Sequence, residues 1–166
     1  MEIRWVFVDG YSVLHTWARF LTRKGRERAL AKQRDELIHL LRQYADATGR
    51  RVTVVFDGYA SKRKPDTPEV TVGIEVLYSE PGKTADDVIE RVVGLLPNRT
   101  EILVVTSDNA ERRTVESLGA ESRSCEVFEE EVESALKDLG RNVKDHGRGR
   151  KITGLRDHFD DRGITA

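Results

Sequence analysis

The sequence contains one cysteine, Cys125, among its 166 residues. A single thiol cannot form a disulfide within the chain, and it cannot supply the set of cysteine ligands of a structural zinc site. The disulfide-stabilised and zinc-ribbon classes are therefore excluded for one chain. A chain of this length can bury a sizeable core as a single domain without such cross-links.

Long hydrophobic runs are also missing. No apolar stretch approaches the roughly 20 residues of a membrane-spanning helix. The first residues enter a strand-like run directly, without the basic segment, apolar segment and cleavage site of a secretory leader. We therefore expect a cytoplasmic protein with no membrane contact.

Several common active-site motifs are absent. Neither GxGxxG nor GxxxxGK[ST] occurs, so no phosphate-cradling loop is predicted, and no serine-hydrolase elbow is present. A dehalogenase-type phosphatase would need a second aspartate two residues after Asp9, where this chain has Tyr11, and an integrin-type metal site would need serine there.

What the sequence does contain is a set of short apolar runs that end in aspartate. Continuous runs rich in β-branched residues are typical of strands buried on both faces of a sheet. Asp9 and Asp57 follow two such runs directly, and Asp108 lies a little beyond a third; the runs are IRWVFV at 3–8, VTVVF at 52–56 and ILVVT at 102–106.

Segments with helical periodicity alternate with these runs. We predict helices over 11–21, 27–48, 84–96, 109–118 and 126–139, with glycines ending several of them, and weaker strands over 70–78 and 120–124. The alternation predicts an α/β fold: a three-layer α/β/α sandwich around a mainly parallel sheet of about five strands, with the first strand central.

The stretch GKTADDVIER, residues 82–91, opens a helix with two adjacent acids. Thr84 is a natural N-cap, and Asp86 and Asp87 lie where the helix dipole favours anions, so a purely structural role as capping residues is a strong alternative. However, ligands of parallel sheets bind beyond the carboxyl ends of the strands, and this helix begins on that same edge.

Acids that converge at one sheet edge repel one another unless a cation or a proton intervenes. Oxygen ligands without histidine or cysteine favour Mg²⁺ or Mn²⁺ over zinc. Such an ion can orient water and stabilise charge on a phosphodiester, so phosphodiester hydrolysis is the predicted chemistry.

Charge is unevenly distributed. Residues 140–166 hold seven Lys or Arg against four Asp, a net charge of +3, which leaves residues 1–139 at −4 in a chain of net charge −1. We divide the chain into a domain over 1–139 and a basic, glycine-rich tail over 140–166 that either is disordered or binds a partner. A solvated tail without function is an equal alternative. A second basic segment, Lys62, Arg63 and Lys64, lies in a predicted loop.

Four segments together resemble a known family. They are VDGYSVLH, VVFDG, GKTADDVIERVV and VVTSDNAERRTVESLGAESRSCEVFEEEV. Their order is similar to that of the bacterial YacP-like NYN domains of the PIN-like nuclease superfamily, over roughly residues 3–139. The resemblance implies a PIN-like fold and an endoribonuclease with a Mg²⁺ or Mn²⁺ site, whose partners are RNA, single-stranded or messenger, and in some relatives the ribosome.

The resemblance also implies roles for individual residues. Asp9, Asp86 and Asp108 would be catalytic and bind the metal, with Asp57 and Asp87 in supporting catalytic roles. Ser12 stands where the family usually has asparagine, which affects substrate positioning. We expect substrate contacts from Ser12, Lys83 and the basic segment 62–64.

A non-catalytic RNA-binding module or ribosome adaptor is the alternative from another functional class. It would retain the fold and use the same acids only as caps. The set of acids at separate strand ends favours the nuclease, because folding alone does not require it.

Overall fold

The computed structural model describes residues 2–21, 27–58, 69–71 and 74–149, with side chains over 2–21, 30–58 and 74–141. The strands are β1 (Trp5–Asp9), β2 (Arg51–Phe56), β3 (Glu69–Thr71), β4 (Ile74–Tyr78), β5 (Ile102–Val105) and β6 (Glu121–Arg123). The helices are α1 (Gly10–Thr16), α2 (Ala18–Leu21), α3 (Glu27–Thr48), α4 (Ala85–Leu95), α5 (Asn109–Ser117) and α6 (Cys125–Gly149).

The described strands form one sheet in the order β3-β4-β2-β1-β5-β6. Five of them, from β4 to β6, are parallel, and only β3 is antiparallel to its neighbour β4. The chain adds strands to one side of β1 and then, from β5 onward, to the other side. The strand order therefore changes direction beside β1, and the carboxyl end of β1 is where a ligand site is expected. The predicted mainly parallel α/β sheet with a central first strand is confirmed.

Helices cover both faces of the sheet, because successive side chains of each strand point to opposite faces. In β1, Val6 and Val8 pack in a cluster with residues of α1, α2, α3 and α6. Phe7 points the other way, into a cluster that includes Ile89 of α4 and Val115 of α5. All five of these side chains are at most 1 % exposed, so both layers are closed.

Three predicted elements were wrong in detail. The strand over 70–78 is two antiparallel strands, β3 and β4, in which Thr71 pairs with Ile74. The helix over 11–21 is interrupted at Trp17, whose extended backbone ends α1. The last helix does not stop at Gly140, because α6 continues to Gly149. A single exposed glycine in a helix costs only about 1 kcal/mol relative to alanine, too little to end it.

Other predicted boundaries agree with the structure. Gly49 and Gly119 end α3 and α5 with φ of 70° and 101°, a conformation that glycine adopts without strain. The basic segment 62–64 and residues 150–166 of the predicted tail lie outside the described residues. None of the helices in the described ranges is long and apolar enough to cross a membrane.

Candidate metal centre

Asp9 is the last residue of β1 and the N-cap of α1. Its Oδ1 accepts a hydrogen bond from the backbone N–H of Ser12 at 3.2 Å. The side chain is 7 % exposed, so the carboxyl group is held below the surface at the carboxyl edge of the sheet. The strand-to-helix turn thus fixes both the direction and the burial of this acid.

The turn after Asp9 can be this tight only because the next residue is glycine. A Cβ atom on Gly10 would lie 2.2 Å from Cε1 of Phe56, a side chain with no exposed surface. The backbone of α1 therefore approaches the end of β2 more closely than any other residue would allow.

Asp86 occupies the second position of α4. Its orientation is set by a capping box in which the Thr84 hydroxyl accepts from the N–H of Asp87 at 3.2 Å and the Asp87 carboxylate accepts from the N–H of Thr84 at 2.9 Å. These bonds, together with the nearby Lys83, outweigh the small effect of burial and lower the pKa of Asp87. Asp87 thus stabilises the start of the helix, and Asp86 projects from it.

The start of α4 is also tied to the end of β2. Asp57 Oδ1 accepts from the backbone N–H of Ala85 at 2.6 Å. The Ser79 hydroxyl accepts from the N–H of Gly58 at 3.0 Å and donates to the carbonyl of Lys83 at 2.8 Å. A Cβ atom on Gly58 would lie 2.0 Å from the Ser79 carbonyl oxygen, so glycine is required for this contact. Asp57 therefore anchors the helix that carries Asp86.

Glu111 is the third acid of the site, and it lies in the first turn of α5. Asp108 caps that helix, since its Oδ1 accepts from the N–H groups of Ala110 at 2.8 Å and Glu111 at 3.3 Å. Glu111 is 2 % exposed, and within the described residues neither of its carboxylate oxygens has a hydrogen-bond partner. A buried carboxylate without partners is costly, so this group calls for a ligand.

The three acids meet at one point. Ligand oxygens of Asp9, Asp86 and Glu111 all lie within 4.8 Å of one another. Burial, opposed by the hydrogen bond from Ser12 and assisted by Asp86, raises the pKa of Asp9 to about 7. Burial and the neighbouring carboxylates, chiefly Asp86, raise the pKa of Glu111 to about 9. Without a cation, these acids would share protons to coexist.

The donor set fits a divalent cation. Its three carboxylates are hard ligands of the kind that Mg²⁺ and Mn²⁺ prefer, and two of their buried oxygens have no hydrogen-bond partner in the described part of the chain. The cluster contains neither histidine nor cysteine. A cation would neutralise the mutual repulsion that raises the two pKa values. The site is therefore chemically suited to a hard metal ion.

The structure distributes the predicted site residues over two groups. It brings Asp9 and Asp86 together with Glu111, a residue that is not among the predicted site residues. It places Asp57, Asp87 and Asp108 at helix N-termini, where their carboxylates accept backbone hydrogen bonds.

The other predicted residues lie around the site or outside the described part. Ser12 contributes a backbone N–H to Asp9, Lys83 is exposed in the turn before α4, and segment 62–64 lies outside the described residues. A signal for Glu111 was available: like Asp86, it is a first-turn acid of a helix that begins at the carboxyl edge. The spacing from Asp108, however, also fits a capping box, which hides that signal.

Fold and site together define a class of protein: a mainly parallel α/β domain with a carboxylate cluster at the carboxyl edge of its sheet. The model of the YacP-like NYN domain matches residues 6–165. The chain belongs to that family. The match extends beyond residue 139, further than the sequence motifs indicated.

Relatives agree with this assignment. The chain is 31 % identical over 140 residues to the uncharacterized protein YacP of Bacillus subtilis (strain 168). The aligned residues make up 84 % of this chain and 81 % of YacP. A crystal structure of Rae1 (YacP) from Bacillus subtilis superimposes with a TM-score of 0.72 at 30 % identity, covering 87 % of this chain and 81 % of that one. A crystal structure of a mutant of the same protein superimposes with a TM-score of 0.72 at 29 % identity. This match covers 90 % of this chain and 86 % of the mutant chain.

Proposed function

We propose that the chain is a cytoplasmic, metal-dependent endoribonuclease that hydrolyses phosphodiester bonds of single-stranded or messenger RNA. The observation that carries the proposal is the cluster of Asp9, Asp86 and Glu111, whose ligand oxygens lie within 4.8 Å of one another at the carboxyl edge of the sheet. Membership of a nuclease-type family supports RNA as the substrate class.

Asp9, Asp86 and Glu111 would hold Mg²⁺ or Mn²⁺. Such an ion supplies a polarised water as nucleophile and stabilises negative charge on the phosphodiester. The residues of the chain prepare that chemistry before substrate binds. The Ser12 amide fixes the Asp9 carboxylate, and the Asp108 cap fixes the helix turn that carries Glu111. Preorganised ligands of this kind need no rearrangement during the reaction.

Substrate binding is proposed for residues around the cluster. Ser12 lies in the first turn of α1, three residues after Asp9. Lys83 directly precedes Thr84, the N-cap of the helix that carries Asp86, so both residues are close in sequence to acids of the cluster. The proposed substrate contacts of Lys62, Arg63 and Lys64 rest on the sequence alone. The same holds for the tail over 140–166 as a segment that binds a partner and for the ribosome as a partner in the cleavage of messenger RNA. A lysine near an RNA backbone would contribute one phosphate contact.

The test uses a circular single-stranded RNA, which has no ends, incubated with the protein and Mg²⁺, Mn²⁺ or a chelator. The proposal expects metal-dependent linearisation by the wild type and by the control variants Asp46→Asn and Glu130→Gln, which alter exposed acids elsewhere. Asp9→Asn, Asp86→Asn and Glu111→Gln should each lose at least about 100-fold in rate, the equivalent of about 2.7 kcal/mol.

Two results would contradict this proposal in different ways. Cleavage of linear but not circular RNA would indicate an exonuclease. Tight RNA binding without cleavage of either substrate, in any metal, would favour the non-catalytic RNA-binding or adaptor alternative.

A further inference from the structure

Arg34 of α3 contacts the turn that follows Asp9. Its Nη1 donates a hydrogen bond to the hydroxyl oxygen of Tyr11 at 3.1 Å. The Tyr11 ring is 9 % exposed and packs edge-on against Phe56, with 5.3 Å between ring centroids. Tyr11 lies two residues after Asp9, so the arginine is attached to the same turn that carries the first acid.

Helix geometry places Arg34 at the carboxyl edge of the sheet. α3 ends at Thr48, directly before β2 begins at the amino edge, where Arg51 pairs with Trp5. Arg34 precedes Thr48 by 14 residues, which at 1.5 Å per residue is about 21 Å along the helix. The five-residue strand β1 rises only about 13 Å. Arg34 therefore lies level with the end of β1 or beyond it.

The backbone around Arg34 is held firmly. The side chain of its neighbour Gln33 is 8 % exposed and donates a hydrogen bond to the carbonyl of Phe20 at 2.9 Å. α3 is thus fixed to α2 through Gln33 and to α1 through the bond between Arg34 and Tyr11. Such an arrangement reduces the conformational entropy that an arginine loses when it binds a ligand.

The positive charge of Arg34 is not consumed by this contact. Tyr11 offers a neutral acceptor to one nitrogen, whereas a guanidinium carries five N–H donors in a planar fork. Among the ion pairs between described residues, none involves Arg34, and in particular none joins it to Asp9 or Asp86. A half-buried guanidinium that gives one hydrogen bond to the described residues is suited to bind a phosphate in a bidentate manner.

We propose that Arg34, held in place by the Tyr11 hydroxyl, is a phosphate-binding residue for an RNA strand that crosses the carboxyl edge. It contacts a phosphate other than the one at the acid cluster, because α3 packs on the opposite face of the sheet from the helices of Asp86 and Glu111. This inference rests on the proposed function for the identity of the strand. It assigns a binding subsite on the α1–α3 side of the edge, opposite the helices that carry Asp86 and Glu111.

The experiment measures binding without cleavage. A fluorescein-labelled 12-nucleotide oligouridylate is titrated with full-length protein in chelator, at several salt concentrations, and the anisotropy gives the Kd. Arg34→Gln should weaken binding about tenfold at low salt, the equivalent of about 1.4 kcal/mol. It should also reduce the slope of log affinity against log salt by about 0.7, the value for one phosphate contact on a single strand.

Three further variants separate charge from position. Arg34→Lys keeps the charge and should retain the salt slope, although it loses the fork geometry and binds a few-fold more weakly. Tyr11→Phe removes only the positioning hydroxyl, so the slope should stay and the Kd should rise a few-fold. Arg42→Gln removes a charge two turns further along α3, toward the amino edge, and should leave the Kd and slope unchanged.

The inference is wrong if Arg34→Gln and Arg34→Lys bind the oligonucleotide equally well, since a purely structural role would not depend on charge. It is also wrong if Arg42→Gln weakens binding as much as Arg34→Gln. Because no metal is present, these results do not depend on catalysis. A charge-dependent loss of binding in a protein that cleaves no RNA would contradict the nuclease and leave the subsite intact.

Discussion

Asp57 accepts a hydrogen bond from the backbone amide of Ala85 at 2.6 Å, although 28 residues separate the two along the chain. Ala85 is the first residue of α4, and its N–H is one of the helix donors that have no partner within the helix. An acid at the end of β2 therefore holds the helix that supplies Asp86. Asp57 thus positions the helix of Asp86, whereas the three clustered acids would bind the cation themselves.

Asp57→Ala and Asp57→Asn should therefore differ. Alanine leaves the buried Ala85 amide without an acceptor, which costs about 1–3 kcal/mol of unfolding free energy. Asparagine retains a carbonyl oxygen and should keep most of the stability and most of the RNA cleavage. The measurements are urea denaturation and cleavage of the same RNA. Equal and complete inactivation of both variants, with unchanged stability, would instead assign Asp57 to the reacting atoms.

Asp108 and Glu111 lend themselves to a similar comparison, because one caps the helix and the other faces the cluster. Asparagine is as good an N-cap as aspartate. We therefore expect Asp108→Asn to retain stability and to lose less than about tenfold in rate. Asp108→Ala should cost about 1 kcal/mol, as loss of a cap does. Glu111→Gln should be the inactive variant of this set.

The opposite order of cleavage rates for these two variants would contradict the assignment of Glu111 as the ligand. If Asp108→Asn abolished metal-dependent cleavage while Glu111→Gln did not, the cation would be held by the acid that the family motif indicates. Calorimetric titration with Mn²⁺ on the same proteins would locate the ligand independently of turnover.

The metal-free protein should become less stable as pH rises. The pKa of Asp9 is raised from 3.8 to about 7 and that of Glu111 from 4.5 to about 9 by burial and by neighbouring carboxylates. Above about pH 4, the unfolded chain releases these protons while the folded chain retains them, so the unfolding free energy falls with pH across this window. The stability that these groups contribute is complete below the unfolded pKa and is lost through the folded pKa.

The double variant Asp9→Asn/Glu111→Gln removes this dependence. In chelator, its melting temperature should exceed that of the wild type by a margin that grows between pH 5 and pH 9. Adding Mn²⁺ should raise the melting temperature of the wild type and leave the double variant unchanged. If the difference between the two melting temperatures stays constant over this pH range, the assigned burial of the acids is wrong.

Glu131 of α6 forms the centre of a separate, structural network. It accepts from the Tyr44 hydroxyl at 2.8 Å, from Arg50 Nη1 at 2.6 Å and, through its other oxygen, from Arg123. Burial would raise its pKa, but these partners outweigh burial and lower the pKa of Glu131. Stability from this group is therefore present above the unfolded pKa of 4.5 and is lost as pH falls through the lower folded pKa.

Glu131→Gln should thus destabilise the protein by about 1–3 kcal/mol near neutral pH, because Arg50 loses its carboxylate partner and Arg123 keeps, among the described residues, only the more exposed Glu121. The loss should shrink as pH falls below the unfolded pKa of 4.5 and then through the lower folded pKa, where the wild-type carboxylate takes up a proton. Glu130→Gln alters the adjacent exposed acid and should have little effect. RNA cleavage measured well below the melting temperature should be unchanged in both variants. A loss of activity with unchanged stability would connect this network to the site.

Much of the fold was determined by local sequence patterns. The apolar runs that end in aspartate predicted strands buried on both faces, and their alternation with helical periods predicted the parallel order of the sheet. The same rule placed the carboxyl ends of the strands, and with them Asp9 and Asp86, at one edge. These features follow from periodicity and chain connectivity, both of which are readable along the sequence.

The tertiary structure decided which acids meet. Asp108 and Glu111 both belong to the first turn of α5, and only the rotation of that turn against the sheet determines which one caps the helix and which one points at Asp9. Arg34 likewise has no marker in the sequence, since it is one of four cations on the charged helix α3. Its contact with Tyr11 arises from the packing of α3 against α1, a relation between residues that are 23 positions apart.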